Sequence, residues 1–414
     1  MLLGGVRLAS GQLADVSLQD GRIDEVGPPG TLPPAAERLD LSGYLLLPAP
    51  AEPHAHFDSA LTADRIPNPT GDLAGAITAW LDYQGSVPRG DFVARATEAA
   101  LLGLANGATA IRTHVGIYEG VGIRAVEALL EVREALRGLV DLQLVALTLE
   151  LTGPEYADIR ALLRAAMESG VDVVGGCPHL DPDPASYHDL TLSLAAELGR
   201  PIDLHTDETL NPDVLHLPHL AELVAKTNFA YGATASHCVS LGVQPPEVAA
   251  DVAAQVAAAG VAVVCNPQTN LFLQARGQRS GPVRGLTALR ALLDAGVTVA
   301  AGGDNLRDPF NVVGRVDPLE TASLLVSAGH LTAEEAYAAV SSGARAAMGL
   351  PEVQVAPGFP AELLAVQAAS LGEAIAGGTN RVVIHQGRVV SRTTVTREFP
   401  DAKAAAVAAR RFLP

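Results

Sequence analysis

The chain has 414 residues, of which 48% are hydrophobic and 18% charged, with a net charge of -18. That length can bury a large core in one big domain or two to three smaller ones, and the composition excludes a disordered chain. The acidic balance excludes nucleic acid and anionic membranes as partners, because both demand a basic face, and leaves small uncharged or cationic ligands open.

At the N-terminus, Met1-Leu2-Leu3-Gly4-Gly5-Val6-Arg7 lacks a basic region followed by a long apolar stretch, so no signal peptide is expected. Short apolar strands then alternate with glycine turns, Asp20-Gly21 being a hairpin signal. The apolar run from Tyr44 to Leu47 reads as a buried strand ending in His54 and His56. In extended backbone, residues i and i+2 project to the same side, so both imidazoles can address one divalent metal at the strand's end. Two partly buried, hydrogen-bonded histidines would be the bland alternative.

Between 50 and 350 the pattern alternates helix and strand. Helices are expected over 121–137, 155–169, 185–199, 246–259, 285–295 and 333–347. Strands are expected over 109–113, 142–148, 171–175, 201–205, 231–236, 261–265 and 297–301. With the strand ending at His54 these make eight strand–helix units, which fits a (β/α)8 barrel with its chemistry at the C-terminal strand ends. An open doubly wound sheet is the alternative, but no Gly-x-Gly-x-x-Gly follows an early strand. Strands return over Ala361–Val366 and around Gly387, and residues 402–410 read as a helix. The expected organisation is a small β-sandwich domain built from 1–48 and 352–414, around a barrel at 49–351. No apolar run is long enough to span a membrane. Cys177, Cys238 and Cys265 have no CxxC spacing and read as reduced, buried residues of a cytoplasmic protein.

On a barrel, polar residues just past strand ends carry the function. They are His54 and His56, Arg112-Thr113-His114, His205-Thr206-Asp207-Glu208, Ser236-His237, and Gly302-Gly303-Asp304-Asn305. We assign His54, His56, His205 and Asp304 as ligands of one divalent metal in a mixed N/O site with room for water. Glu208 is the candidate general acid/base, and His237 a donor to the developing oxyanion. Each has a plain structural alternative, such as a core histidine, a turn aspartate or a helix-capping glutamate. Their recurrence at successive strand ends favours a site.

The segments Glu52-Pro53-His54-Ala55-His56-Phe57-Asp58, His205-Thr206-Asp207-Glu208, Ala235-Ser236-His237, Asn266-Pro267-Gln268-Thr269-Asn270-Leu271-Phe272-Leu273-Gln274 and Asp304-Asn305-Leu306-Arg307-Asp308-Pro309-Phe310 together resemble the amidohydrolase superfamily, and within it the cytosine deaminase branch. They run in family order over nearly the whole chain. The resemblance implies a distorted (β/α)8 barrel, a β-sandwich from both termini and one divalent metal, zinc or iron. It also implies that Glu208 shuttles protons to ring and leaving nitrogens, while His237 and Asp304 handle the attacking water and its oxygen. Relatives with two metals bridge them through a carbamylated lysine at the end of the fourth strand. The only lysines here are Lys226 and Lys403, far from 171–180, so a single metal is expected.

The expected reaction is hydrolytic deamination of a small nitrogen heterocycle. Two positions argue against cytosine itself. Leu149 stands where the family's cytosine enzyme has a glutamine that holds the pyrimidine edge, and Asn305 where it has a second aspartate. A leucine cannot supply an amide's paired donor and acceptor. The Asp304–Phe310 segment is also similar to aminohydrolases of N-alkylated s-triazines, so release of an alkylamine, or opening of a cyclic amide, is the second reading. A non-catalytic metal- or ligand-binding protein is the third. His179 and His114 are further candidates for substrate contact, and Asn270 and Gln274 for fixing a loop or touching substrate. Trp80 and Asn68 are placed in a loop after His56. His188, His330 and His385 read as bystanders, His216 and His219 as helix residues past the site. A homo-oligomer is compatible with the sequence.

Overall fold

The computed structural model describes residues 1–398 and residue 400. The expected helix over 402–410 lies outside them. Eight parallel strands form the central sheet in sequence order: Ala51–Ala55, Ala110–Gly116, Asp141–Leu147, Val173–Gly176, Ile202–Thr206, Ala233–His237, Ala262–Cys265 and Val299–Ala301. An isolated parallel bridge between Ala55 and Asp304 joins the last strand end to the first and closes the barrel. Helices connect the strands on the outside, as parallel pairing requires.

The terminal strands Leu2–Arg7, Leu13–Gln19, Arg22–Gly27, Arg38–Asp40, Tyr44–Pro48, Leu363–Gln367, Arg381–His385 and Arg388–Thr393 form a second, mixed sheet. Leu18 and Ile23 from one end of its strand path share a core with Val382 and Ile384 near the other end. The sheet therefore folds over on itself as the expected sandwich. Its middle strands serve two cores by alternation. Leu46, Leu363 and Ala365 face the sandwich core, while Leu45, Leu47, Leu364 and Val366 join the barrel core.

The apolar run at Tyr44–Pro48 and the histidine-bearing strand are not one strand. The run pairs with Leu363–Gln367 in the terminal sheet, and a break at Ala49-Pro50 starts the first barrel strand at Ala51. Proline cannot donate to a ladder, which suits a change of sheet.

Several helices were not expected: Leu73–Gln84, Arg89–Ala105, Pro267–Leu273 and Pro318–Ser327, while Leu217–Thr227 is the helix expected around His216 and His219. Trp80 therefore sits on a helix, not in a loop. That helix starts at Asp72, whose carboxylate accepts from the Gly75 N–H. Beside Phe92, Arg89–Ala105 buries mainly small residues, Ala96, Ala99, Ala100 and Gly103, which give a weak apolar signal at helical period. The expected helix at 333–347 is two, broken at Ser341. Among the described residues no helix is long and apolar enough to cross a membrane.

Inside the barrel a polar layer lies one residue pair below the site. The buried Arg112 reaches Asp203 at 2.8 Å and Gln143 at 3.1 Å. Ser236 donates to the other Asp203 oxygen at 2.8 Å. Arg112 and Asp203 precede His114 and His205 by two, so strand alternation stacks the histidines directly above this layer. Removing one partner of such a buried pair typically costs about 3–5 kcal/mol.

Candidate metal and catalytic site

Four side chains meet at the C-terminal mouth of the barrel. His54 Nε2 lies 3.2 Å from His205 Nε2, and His205 Nε2 lies 3.2 Å from His56 Nε2. Asp304 Oδ1 is 3.3 Å from His56 Nε2 and 3.6 Å from His54 Nε2. Donors held about 2.0–2.1 Å from one tetrahedral ion stand about 3.3–3.4 Å from each other. The four separations given above, 3.2 to 3.6 Å, are close to that size. Three imidazole nitrogens converging in a buried site cannot all satisfy one another, since a neutral ring offers one donor and one acceptor. Asp304 Oδ2 is buried without a partner, as are the Nδ1 atoms of His54 and His205. The residues fit a divalent metal.

His114 and His237 also approach this cluster. His54, His114 and His205 hold ligand-capable atoms within 4.8 Å of one another, as do His54, His237 and Asp304. The short nitrogen–nitrogen and nitrogen–oxygen edges favour the set of His54, His56, His205 and Asp304. Burial, reinforced by neighbouring imidazoles, holds His54 and His205 well below the ordinary histidine range, so both are neutral, as ligands must be. Burial also acts to lower His56, but contact with Asp304 and the charges of Asp58 and Asp308 outweigh it and raise the group. A metal would have to displace a proton there.

Beside the cluster, Glu208 Oε1 lies 3.3 Å from His237 Nδ1, and His237 Nε2 lies 3.9 Å from Asp304 Oδ2. Burial, followed by the charge of Asp304, holds Glu208 well above the usual carboxylate range. Burial pushes His237 down to about 4. Ser236 faces the polar layer, so strict alternation would turn His237 away from the mouth. Its left-handed backbone, φ 69°, brings the ring back. Asp304 has the same conformation, φ 67°.

A cavity enclosing about 620 Å³, partly open to solvent, receives His56, His205, Asp304, Glu208 and His237 in its wall. The rest of that wall is mostly apolar, with Trp80, Leu147, Leu149, Leu273 and Phe310.

A model of the amidohydrolase family matches residues 94–391, more than half of the chain. The chain belongs to the amidohydrolase family. A pterin deaminase of Rhizobium rhizogenes is 33% identical to this amidohydrolase over 92% of its chain and 88% of the relative. The structure of 5-methylcytosine deaminase from Klebsiella pneumoniae liganded with 5-fluorocytosine superposes with a TM-score of 0.87. It is 29% identical and covers 97% of this chain and 100% of that one. N-isopropylammelide isopropylaminohydrolase from Burkholderia multivorans gives a TM-score of 0.81 at 28% identity, covering 95% of this chain and 98% of that one.

The remaining candidates of the amidohydrolase fall in three places. Leu149, Asn305 and His179 line the cavity. Asn305 is pinned: its Nδ2 donates to Asp308 Oδ2 at 2.9 Å, and Ser59 Oγ donates to the same oxygen at 2.6 Å. Burial raises Asp308 to about 6 despite those bonds. His179 Nδ1 faces the His205 carbonyl at 3.0 Å. A carbonyl only accepts, so Nδ1 carries the proton, and the buried, unpartnered Nε2 is left as an acceptor. His114 is fully buried, does not line the cavity, and packs on His54 with ring centroids 4.1 Å apart. Gln274 does not line the cavity either.

Glu52, Asp58 and Asn266 stand in the segments that resemble the family, but no role of their own was expected for them. Glu52 accepts from the backbone of His54 at 3.1 Å and of Gly303 at 2.9 Å, and so ties the first strand to the last. Its position two residues before His54, on the same face, was the available signal. Asp58 lines the cavity and accepts from the Gly116 N–H at 2.8 Å. Asn266 and Asn270 both contact His237. His188 and His219 pair with each other, Nδ1 to Nδ1, at 3.0 Å. His385 contacts Glu362 at 2.8 Å.

Proposed function

We propose that this amidohydrolase hydrolytically deaminates a small nitrogen heterocycle other than cytosine, with one divalent metal, zinc or iron, held by His54, His56, His205 and Asp304. The observation that carries the reading is Glu208, buried and high in pKa, facing His237 and Asp304 in one cavity wall. When bound, the ion would act as a Lewis acid and lower the pKa of a water molecule to about 7. Only one ion is proposed, since neither lysine of the chain lies at the fourth strand end.

Glu208 takes the proton of the attacking water and delivers it to a ring nitrogen, then helps the amine depart. A raised carboxyl suits both roles, because it takes up a proton more readily than an ordinary carboxylate and can pass it on to a more basic nitrogen. His237, neutral, donates to the oxygen that becomes negative in the tetrahedral intermediate. Asp304 Oδ2, without a protein partner, is free to receive a water proton as well. His179 Nε2 accepts from an N–H of the ring or its amino group. Leu149 packs against a part of the ring that carries no hydrogen-bonding edge.

The apolar wall of Trp80, Leu147, Leu149 and Phe310 supports a second reading, in which the leaving group is an alkylamine from a triazine-like ring. A panel of pterins, 5-substituted pyrimidines and N-alkylammelides, assayed for ammonia and for alkylamine by mass spectrometry, tests both. Ammonia release from a ring supports the first, and alkylamine release the second. Metal-loaded protein that releases neither would overturn the enzyme reading in favour of a binder.

A further inference from the structure

The imidazole of His237 is held on both sides by carboxamides. Asn266 Nδ2 lies 3.2 Å from Nε2, and Asn270 Nδ2 lies 3.1 Å from Nδ1. The same Asn270 nitrogen lies 3.2 Å from Glu208 Oε1. Both asparagines are fully buried, and the Oδ1 atom of each has no partner. Neither lines the cavity, so neither touches a substrate bound there.

A neutral imidazole has one N–H and one lone pair, so two amide nitrogens cannot both donate to His237. One carboxamide must present its oxygen, which a half-turn about the side chain achieves without moving the backbone. Asn270 is the one that cannot turn. With Glu208 ionised, as it must be to take the water's proton, turning Asn270 would set Oδ1 against the carboxylate, two acceptors face to face. Its two amide hydrogens instead go one to Glu208 and one to Nδ1 of His237. The imidazole proton then sits on Nε2, and Asn266 presents Oδ1 to it, which gives that oxygen a partner. Nε2 is also the nitrogen that faces Asp304 Oδ2, on the metal side. In the competing arrangement Nδ1–H donates straight to Glu208 across 3.3 Å. Nε2 is then a lone pair, useless to a negative oxygen.

We propose that Asn270 is a positioning residue, whose single carboxamide holds Glu208 as an acceptor and fixes His237 as the Nε2–H tautomer aimed at the reacting oxygen. The inference rests on the roles given above to Glu208 and His237. Without the amide, Glu208 and His237 pair with each other, and both the base and the oxyanion donor are lost together.

The test uses the full chain loaded with zinc, which is diamagnetic, and labelled with ¹⁵N-histidine. In the unmodified protein the His237 resonances, assigned with His237→Gln, are expected to show a protonated Nε2 and a bare Nδ1. Asn270→Asp keeps the shape but removes the donor, and Asn270→Leu removes all polarity. Both should move the proton to Nδ1 and lower kcat on the order of 10²-fold. KM for the fastest compound of the panel should stay within about threefold and zinc content should be unchanged. If Asn270→Leu fails to fold, Asn270→Asp and the unmodified spectrum still decide. A bare Nε2 in the unmodified protein overturns the proposal. So does an Asn270→Asp variant with undiminished kcat, or one that changes KM alone. Full activity in Glu208→Gln would instead overturn the reading of Glu208, whatever tautomer is seen.

Discussion

The backbone N–H of Asp304 donates to the carbonyl of His54 across 2.9 Å, and this bond brings the two ends of the barrel's strand order into register. It fixes the Asp304 carboxylate against the imidazoles of His54 and His56, so closing the barrel and assembling the proposed metal site are one event. The polypeptide between them contributes His205 from the far wall. A ligand set distributed this way forms only in the folded chain.

Asp304→Ala should therefore lose metal but keep the fold. The bridging backbone bond does not need the side chain, while the cluster loses its carboxylate and its charge compensation. Elemental analysis should show metal falling well below that of the unmodified protein, with far-ultraviolet circular dichroism unchanged. Retention of a full equivalent of metal would remove Asp304 from the ligand set.

Glu208→Gln should keep metal and lower kcat by about 10²–10⁴-fold, the usual worth of a positioned acid/base. Glu208 must be ionised to take the water's proton, and burial beside Asp304 holds its carboxyl high. The rate should therefore climb with pH through a limb above the ordinary carboxylate range of about 4–5. A bound cation beside Asp304 would offset the second of those causes and move the limb down. A rate already flat from pH 4.5 upward would assign the base elsewhere.

Glu52→Gln should destabilise the metal-free protein. Glu52 Oε1 accepts from His54 N at 3.1 Å and both its oxygens accept from Gly303 N, at 3.1 and 2.9 Å. An amide NH2 in place of one oxygen faces a backbone donor, at a cost of about 1–3 kcal/mol. Burial pushes Glu52 up to about 8 from 4.5, against the pull of those N–H groups. The folded chain thus keeps a proton that the unfolded chain releases. This contribution to stability is full below pH 4.5 and is lost as pH rises through 8. Denaturant titrations of both proteins across that interval should show the decline in the unmodified chain and a flatter profile in the variant.

Leu149→Gln should change the substrate more than the rate of the best substrate. It adds a donor and an acceptor to an otherwise apolar stretch of wall. A buried, unpaired amide disfavours rings with no matching edge, and a paired one favours pyrimidines that have it. Relative kcat/KM for cytosine against the preferred compound should rise by about 10-fold or more. An unchanged ratio would place Leu149 out of substrate contact.

Gly176→Ala should damage the pocket through a neighbour. With φ 153°, the glycine lies where a Cβ would fall 1.6 Å from the Tyr187 hydroxyl. Tyr187 donates to the Thr148 carbonyl at 3.0 Å and accepts from Cys177 N at 3.2 Å, holding the third and fourth strand ends together. Its displacement shifts Leu149 and His179, so KM should rise several-fold alongside a lower melting temperature. An unchanged KM would show that Tyr187 does not shape the cavity.

The barrel was legible in the sequence, because eight strand candidates recur in order with helical patterns between most of them, which leaves few other ways to bury the strands. The sequence also put forward His54, His56, His205, Asp304 and Glu208 as candidates, since strand ends are recognisable and histidine and carboxylate carry chemistry wherever they stand. It misjudged the run at Tyr44–Pro48, because an apolar strand reads the same whichever sheet it joins. It missed alanine-rich helices such as Arg89–Ala105, whose small residues give little periodic contrast. That His114 packs behind His54 while His179 reaches the cavity came from the folded chain, for His114 lies inside the strand Ala110–Gly116 whereas His179 stands in the turn after Val173–Gly176. Only it showed Asn266 and Asn270 bracketing His237, and Glu52 tying His54 to Gly303. Those are contacts between different strands and loops. No local pattern encodes them, because they depend on where barrel closure sets the strand ends.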